Sequence, residues 1–408
     1  MFRSTLKALF TLQILLACVA AGGATEAVDT AKLRAAIIRT DGLISSGSYD
    51  LALKVADSLR VVTARASLTN SRAVVLNKMG VILRWKGELS RSLTLLNQSL
   101  ALAESLHNKD LVANNYNNIG AVNRMLGNYP LALKSYLRAL KIKDELKDTE
   151  GMAAVLNNIG IVYLYQEDYP SALDYYSQSQ VISQRINDLP GQAISYINIG
   201  EVYQKMGNFA DAIACYKKGL RLSEKIGDSD SQAVISNELG NIYKSKGDCK
   251  LANAFYMKAL AVFEQLGDKY RIAQVLTNLG DCCIRLNQNG EAFRYLSRAF
   301  ALSKSIGSWE LIKDVSLSLS KYFETSGNYK AALFYHHSYT AARDSSFSRE
   351  KTEQLVRSQM RFDFEREQEK IRAEQEKRSI VAAEKNRWQR TVRIMLFLVV
   401  GVLYELLR

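Results

Sequence analysis

Across the middle of the chain, apolar positions recur with a helical period, and that helical pattern is itself repeated. Between Asp110 and Asp148 they fall at Ile119, Val122 and Leu126, then at Leu133, Tyr136 and Leu140, three or four apart on either side of Gly127. The spacing predicts two amphipathic helices joined at a glycine, the residue that most easily supplies the left-handed conformation ending a helix. Asn128 stands where a side chain caps the second helix, and Pro130 falls in its first turn, where a missing N–H costs little. Asp168 with Pro170 repeats that arrangement, and Asn208, Asp248 and Asn328 supply the cap alone. The unit is a helix–turn–helix hairpin.

The hairpin recurs without insertion or deletion. Gly80, Gly120, Gly160, Gly200, Gly240 and Gly280 stand 40 residues apart. Gly87, Gly127, Glu167, Gly207, Gly247 and Asn287 follow seven positions later, a series extended outward by Gly47 and Gly327. Five further on lie Ala52, Ser92, Ala132, Ala172, Ala212, Ala252, Ala292 and Ala332. A fixed period of this length means stacked copies of one small unit, none able to bury its apolar face alone. Eight units are predicted. Glycine inside a helix costs about 1 kcal/mol relative to alanine, so its recurrence implies close helix contact. Gly120 and Ala132 are expected to bring the two helices of a hairpin together, and Tyr136 and Ala139 to pack on the next pair. Thr40 and Ser320 replace the glycine in the first and last units, as expected of caps. Asn287 and Asn289 give unit seven a turn expected to differ from the others.

The order Ile199-Gly200, Tyr203, Gly207, Phe209, Ala212, Tyr216 and Gly219-Leu220 resembles the tetratricopeptide-repeat (TPR) motif. The family repeat is about 34 residues. The spacing from Gly120 to Ala139 is the family's, so the extra residues lie between Leu140 and the next pair and predict longer helices there. Forms with 40-residue repeats resemble kinesin light chains, cell-polarity adaptors and bacterial regulatory TPR proteins. The resemblance covers about residues 31–345. It implies an all-α fold, an α-solenoid in which eight hairpins form a right-handed superhelix.

The ends differ in character. Residues 1–24 are similar to a secretory signal: Arg3 and Lys7, an apolar run from Ala8 to Ala17, then small residues through Ala24. Cleavage is expected after Ala21 or Ala24, with Leu15-Leu16-Ala17-Cys18 offering a lipoprotein-like alternative. Residues 346–393 read as a charged helix with a weak heptad seam at Met360, Phe364, Ile371, Val381, Trp388 and Val392, so a homodimeric coiled coil and a solitary helix both stay open. Residues 394–408 read as an apolar membrane anchor, short of the roughly 20 residues that a span needs. Either the span is undersized or the chain is cut from a larger protein. Signal, repeat array, charged helix with Gln389-Arg390 and span together resemble bacterial membrane-bound TPR sensors, which continue into an output domain. The expected location is the bacterial cell envelope, with the repeats exported to the periplasm.

Net charge is +13, but the basic residues are scattered, with no Lys/Arg block and no nucleic-acid-binding signature. An acidic peptide or an anionic membrane surface accounts for the charge more simply. Cys215, Cys249, Cys282 and Cys283 show no metal-ligand spacing and read as buried thiols, with a Cys249–Cys283 disulfide as the alternative. His107, His336 and His337 lack the following acidic residue of a kinase phosphoacceptor. No phosphate loop, zinc-protease motif or nucleophile elbow occurs. The chain reads as a protein without an enzymatic activity, cofactor or metal.

The resemblance also implies a groove lined by the first helix of each hairpin, into which residues three before and one, four or five after the first glycine point. Three before are Asn77, Asn117, Asn157, Ile197, Asn237 and Thr277. An asparagine amide can pair both N–H and C=O of an extended peptide backbone; the same row can instead order the stack through interhelical hydrogen bonds. At four and five after stand Arg84, Trp85, Arg124, Met125, Tyr165, Lys205, Lys244 and Arg285, a basic wall diluted by Glu201 and Asp281. Such a groove is expected to take a peptide or protein partner, acidic or ending in a carboxylate, and no nucleic acid. Two roles follow: a membrane-tethered scaffold, or the sensory half of a signalling protein of histidine-kinase or transcription-regulator type.

Overall fold

The computed structural model describes residues 30–45 and 47–345. The signal-like residues 1–24, the charged stretch 346–393 and the apolar stretch 394–408 lie outside the described residues, and with them the expected coiled coil and anchor. The described residues form eight helix pairs: α1 (Thr30–Ser45) with α2 (Tyr49–Arg65), α3 (Thr69–Trp85) with α4 (Leu89–Ser105), α5 (Lys109–Met125) with α6 (Tyr129–Glu145), α7 (Thr149–Tyr165) with α8 (Tyr169–Arg185), α9 (Leu189–Lys205) with α10 (Phe209–Ile226), α11 (Ser229–Ser245) with α12 (Cys249–Leu266), α13 (Lys269–Arg285) with α14 (Asn289–Ile306), and α15 (Trp309–Thr325) with α16 (329–345). Each helix packs on its hairpin partner and on the next pair, making an all-α solenoid. Among the described residues no helix is long and apolar enough to cross a membrane.

Every turn has the same build. At the end of α5, the Gly127 N–H donates to the Arg124 carbonyl at 2.9 Å and the Asn128 N–H to the Asn123 carbonyl at 2.8 Å, with Gly127 at φ +72°. The turn from α6 to α7 repeats it: Lys147 N–H to Asp144 at 2.9 Å and Asp148 N–H to Lys143 at 2.9 Å, with Lys147 at φ +56°. The reverse bonds satisfy carbonyls that the helix end leaves open. The residues added to the family's unit extend the helices, most of which run 17 residues, as α5, α6 and α7 do. Unit seven does not depart from this pattern. Asn287 takes φ +58° and the same bonds form, because asparagine tolerates the left-handed region that its glycine counterparts occupy. Asp168, Asn208, Asp248 and Asn328 each accept a capping bond from the backbone N–H three residues on. Asn128 stands at its N-cap without making that bond.

The helical glycines have a specific partner. A β-carbon on Gly120, Gly160, Gly200 or Gly240 would lie 2.6–2.7 Å from the ring of Tyr136, Tyr176, Tyr216 or Tyr256 in the same hairpin. Leu96 and Leu296 fill the same place over Gly80 and Gly280. The tyrosine therefore seats first on its own hairpin; its cluster also includes Val155, Ile159 and Val162 of the next pair. Burying such a side chain contributes roughly 1.5–3 kcal/mol, which outweighs the ~1 kcal/mol helix cost of glycine. At the first unit the sizes invert, with Thr40 at the register paired with the small Ala56, while the last unit pairs Ser320 with His336. The Thr40 hydroxyl donates to the Ala36 carbonyl at 3.0 Å and that of Ser320 to Ala332 at 3.1 Å.

Among the described residues the four cysteines are free thiols, Cys215 half-buried and the others buried. Cys249 does not pair with Cys283. Its neighbour is Cys282, whose pKa is pushed up to about 12 by burial and by the Cys249 thiol beside it.

Candidate binding groove

The first helices of successive pairs meet along a polar seam. Asn158 donates to Asn117 Oδ1 at 2.9 Å, and Asn198 to Asn157 Oδ1 at 2.7 Å. Asn77 donates to Asn115 at 2.8 Å and accepts from Asn118 at 3.3 Å. The predicted asparagine row is thus one side of an interhelical ladder; the other is Asn118, Asn158 and Asn198, one residue later in the repeat. Sequence reading missed that second row, although it too recurs every 40 residues. The ladder occupies the Oδ1 atoms of Asn117 and Asn157. Their Nδ2 groups make no hydrogen bond among the described residues. Asn237 stands apart: it is buried, donates to Glu238 at 3.0 Å, and leaves its Oδ1 without a partner.

From α3 to α9 the groove holds charges that the protein does not pair. Arg84 and Arg124 form no ion pair among the described residues, and the Nε of each is buried without a hydrogen-bond partner. Burial holds the Arg84 guanidinium below its ordinary pKa, and the like charge of Arg124 adds to the effect. Each lies against an aromatic ring instead: Arg84 is 4.9 Å from the Trp85 centroid and Arg124 is 5.5 Å from that of Tyr165. Trp85 and Tyr165 are more than half exposed, at 55% and 59%, so this rim offers flat apolar faces beside cations. The hydroxyls of Tyr136 and Tyr176 are buried with no partner.

Arg124 opens onto a cavity of ≈ 520 Å³ lined also by Ile161, Leu164, Tyr165, Glu167 and Tyr169 and by Tyr176, Asn198, Glu201 and Lys205. Glu201 has no hydrogen bond or ion pair among the described residues. Burial raises its carboxyl pKa, the neighbouring Glu238 raises it further, and Lys205 opposes both.

From α11 to α15 the central charges of the same face are paired, although Asn237 Oδ1 is not satisfied. Lys244 donates to Asn278 at 2.6 Å and bridges Asp281 at 3.2 Å, while Ser318 donates to Asp281 at 2.6 Å. The exposed Arg285 reaches back to the Lys244 carbonyl at 3.4 Å. Two other buried phenols find partners: Tyr216 of α10 donates to Gln204 of α9 at 2.8 Å, and Tyr256 of α12 to Asn241 of α11 at 2.9 Å. A second cavity of ≈ 560 Å³ lies among these paired groups, with the exposed Asp314 on its wall. Of the ten residues predicted for the groove, Arg124, Tyr165 and Lys205 share the first cavity, Lys244 and Arg285 the second. Asn77, Asn117 and Asn157 lie in the seam.

The tetratricopeptide-repeat family model matches residues 71–145, 151–225 and 231–305, more than half of the chain. No curated protein matches it in sequence. Among solved structures, the chain is similar to a signal-transduction ATPase with a tetratricopeptide-repeat sensor from Pyrococcus horikoshii, at 15% identity and TM-score 0.58 over 84% of this chain and 53% of that one. It is also similar to the apo quorum sensor NprR from B. thuringiensis, at 18% identity and TM-score 0.56, covering 76% and 87%. Apo RapI is 17% identical with TM-score 0.53, covering 68% and 99%. At these identities the likeness is one of fold.

Proposed function

The chain belongs to the tetratricopeptide-repeat family, and on that premise we propose that it is a protein-interaction scaffold that binds an extended, acidic partner segment along α3 to α9. The fold is in general a non-catalytic one, and this chain acts without chemistry of its own. The supporting observation is the Arg84–Arg124 pair: two neighbouring guanidiniums, partly desolvated, facing the groove without a carboxylate. An isolated charge loses its hydration on burial, and a ligand carboxylate restores the pairing through charge-assisted hydrogen bonds. The exposed Trp85 and Tyr165 add contact area for apolar side chains beside each acid. The Nδ2 groups of Asn117 and Asn157 are placed to donate to a peptide carbonyl.

Fluorescence anisotropy of short labelled peptides tests this reading. Saturable binding of a Glu/Phe peptide that weakens with added salt, beside no binding of its Lys/Phe counterpart, is the expected result. Equal binding of acidic, neutral and basic peptides would remove the anionic preference.

In the cell we place the scaffold in the bacterial envelope, exported through residues 1–24 and held at the membrane by residues 394–408. That same layout favours a second reading, in which occupancy of the groove is reported through residues 346–393 to an output domain.

A further inference from the structure

The cavity between α5, α7, α8 and α9 holds a guanidinium and a carboxylate that form no ion pair with each other or with any other described residue, although Glu167 and Lys205 line the same space. Arg124 on α5 and Glu201 on α9 both line the ≈ 520 Å³ space. The buried Tyr176 hydroxyl in the same lining has no partner, and both charges act on it: the carboxylate of Glu201 raises its pKa and Arg124 lowers it, beneath the larger effect of burial. Elsewhere along the groove opposite charges of this kind have closed onto each other, as Lys244 and Asp281 do. Here the fold keeps them apart, because Arg124 belongs to α5 and Glu201 to α9, with α7 intervening. Neighbouring packed helices stand about 8–10 Å apart, so the two side chains face each other across a gap rather than across a bond.

Three features describe what would fill the gap. It needs an anion at the Arg124 end and a cation at the Glu201 end. It needs polar groups between them for the Tyr176 hydroxyl and the Asn198 amide. Its flanks must be largely apolar, to meet Ile161, Leu164, Tyr165 and Tyr169, while leaving room for Glu167 and Lys205. The volume lies within the ~300–1,000 Å³ of small-molecule sites. An extended chain advances about 3.3–3.6 Å per residue, so two or three residues bridge a gap of this kind.

We propose that this cavity binds a free di- or tripeptide, its C-terminal carboxylate on Arg124 and its N-terminal ammonium on Glu201. The site goes beyond the groove reading: its ligand is too short to run from α3 to α9, and it stands on the separated charge pair alone. Arg124 serves both, so a bound tripeptide competes with an acidic segment lying over the same arginine.

Equilibrium dialysis of the protein against a randomised tripeptide mixture, free at both ends, is the test, with retained peptides identified by mass spectrometry. The same mixture N-acetylated, and again C-amidated, supplies the controls on unmodified protein. Enrichment from the free mixture, with a loss of about tenfold or more in affinity on capping either end, is the expected result. Arg124→Gln should then abolish the cost of amidation and Glu201→Gln the cost of acetylation. No enrichment, or equal enrichment from capped mixtures, would overturn the proposal without reference to any variant. So would retention unchanged in both variants. Failure here leaves the acidic-segment reading standing, because that reading requires neither Glu201 nor a free ammonium.

Discussion

The two halves of the groove are built from the same repeat yet treat charge in opposite ways. From α11 to α15, Lys244, Asp281, Asn278 and Ser318 form a closed network across three repeats. From α3 to α9, Arg84, Arg124 and Glu201 form no ion pair among the described residues, and two buried phenols lack the bonds that Tyr216 and Tyr256 make. A scaffold position is thus read by whether its polar groups are satisfied from within, not by which residue types it holds. Lysine in the second half is tied into the stack, whereas arginine in the first half forms no ion pair among the described residues.

The largest effect expected comes from a control inside the first half. Lys143 is buried at 6% exposure and bridges Asp110 and Asp148, each at 2.7 Å. Burial works against its charge, yet the bonds from both carboxylates hold its pKa up. Lys143→Met should destabilise the protein by about 2 kcal/mol, because it strands two carboxylates that it now pairs, as followed by urea denaturation. A loss well below that would mean that even this paired cation contributes little. The two groove cations should differ in sign. Lys244→Met should cost about 1 kcal/mol by opening the network around Asp281, while Arg84→Met should gain up to about 1 kcal/mol by removing an unpaired, partly desolvated charge. Thermal melts of both variants check this, and a fall in both would erase the contrast.

The pH dependence of Glu201 sharpens the comparison further. Its folded pKa lies above the ordinary 4.5, so the native state holds the proton more tightly than the unfolded chain. Its contribution is therefore favourable at low pH and is lost as pH rises from about 4.5 through the folded value. Glu201→Gln should match the parent melting temperature below that window and exceed it above, although Glu238 and Lys205 still face the site. A gap of the same size at every pH would show that Glu201 does not titrate in this way. The smallest effect belongs to the seam. Asn157→Ala removes the bond from Asn198 and should cost about 1 kcal/mol, measurable as a shift in the urea midpoint.

The repeat length, the hairpin and the buried tyrosines were legible because each recurs at a fixed interval, and stacking demands that regularity. The turns between pairs were harder to see: Ser67 and Lys147 adopt positive φ although nothing in their chemistry announces it, and His107 and Asn187 only tolerate it more readily. Replacing Lys147 by glycine should accordingly stabilise the protein by roughly 1 kcal/mol. For the groove, the sequence placed Arg84, Arg124, Lys244 and Arg285 on one face but treated them alike. Only packing separates them, because pairing depends on neighbours some 40 residues away. The asparagines show the same limit. A row at one register read as peptide-facing until its partners at the next position closed on it.

The most direct test of the account is the affinity of one acidic peptide for three proteins: the parent, Arg84→Gln/Arg124→Gln, and Lys244→Gln/Arg285→Gln. The account predicts a loss of about a hundredfold or more in the first double variant, roughly 1.4 kcal/mol for each factor of ten, and little change in the second. Equal losses in both, or a larger loss in the second, would contradict it.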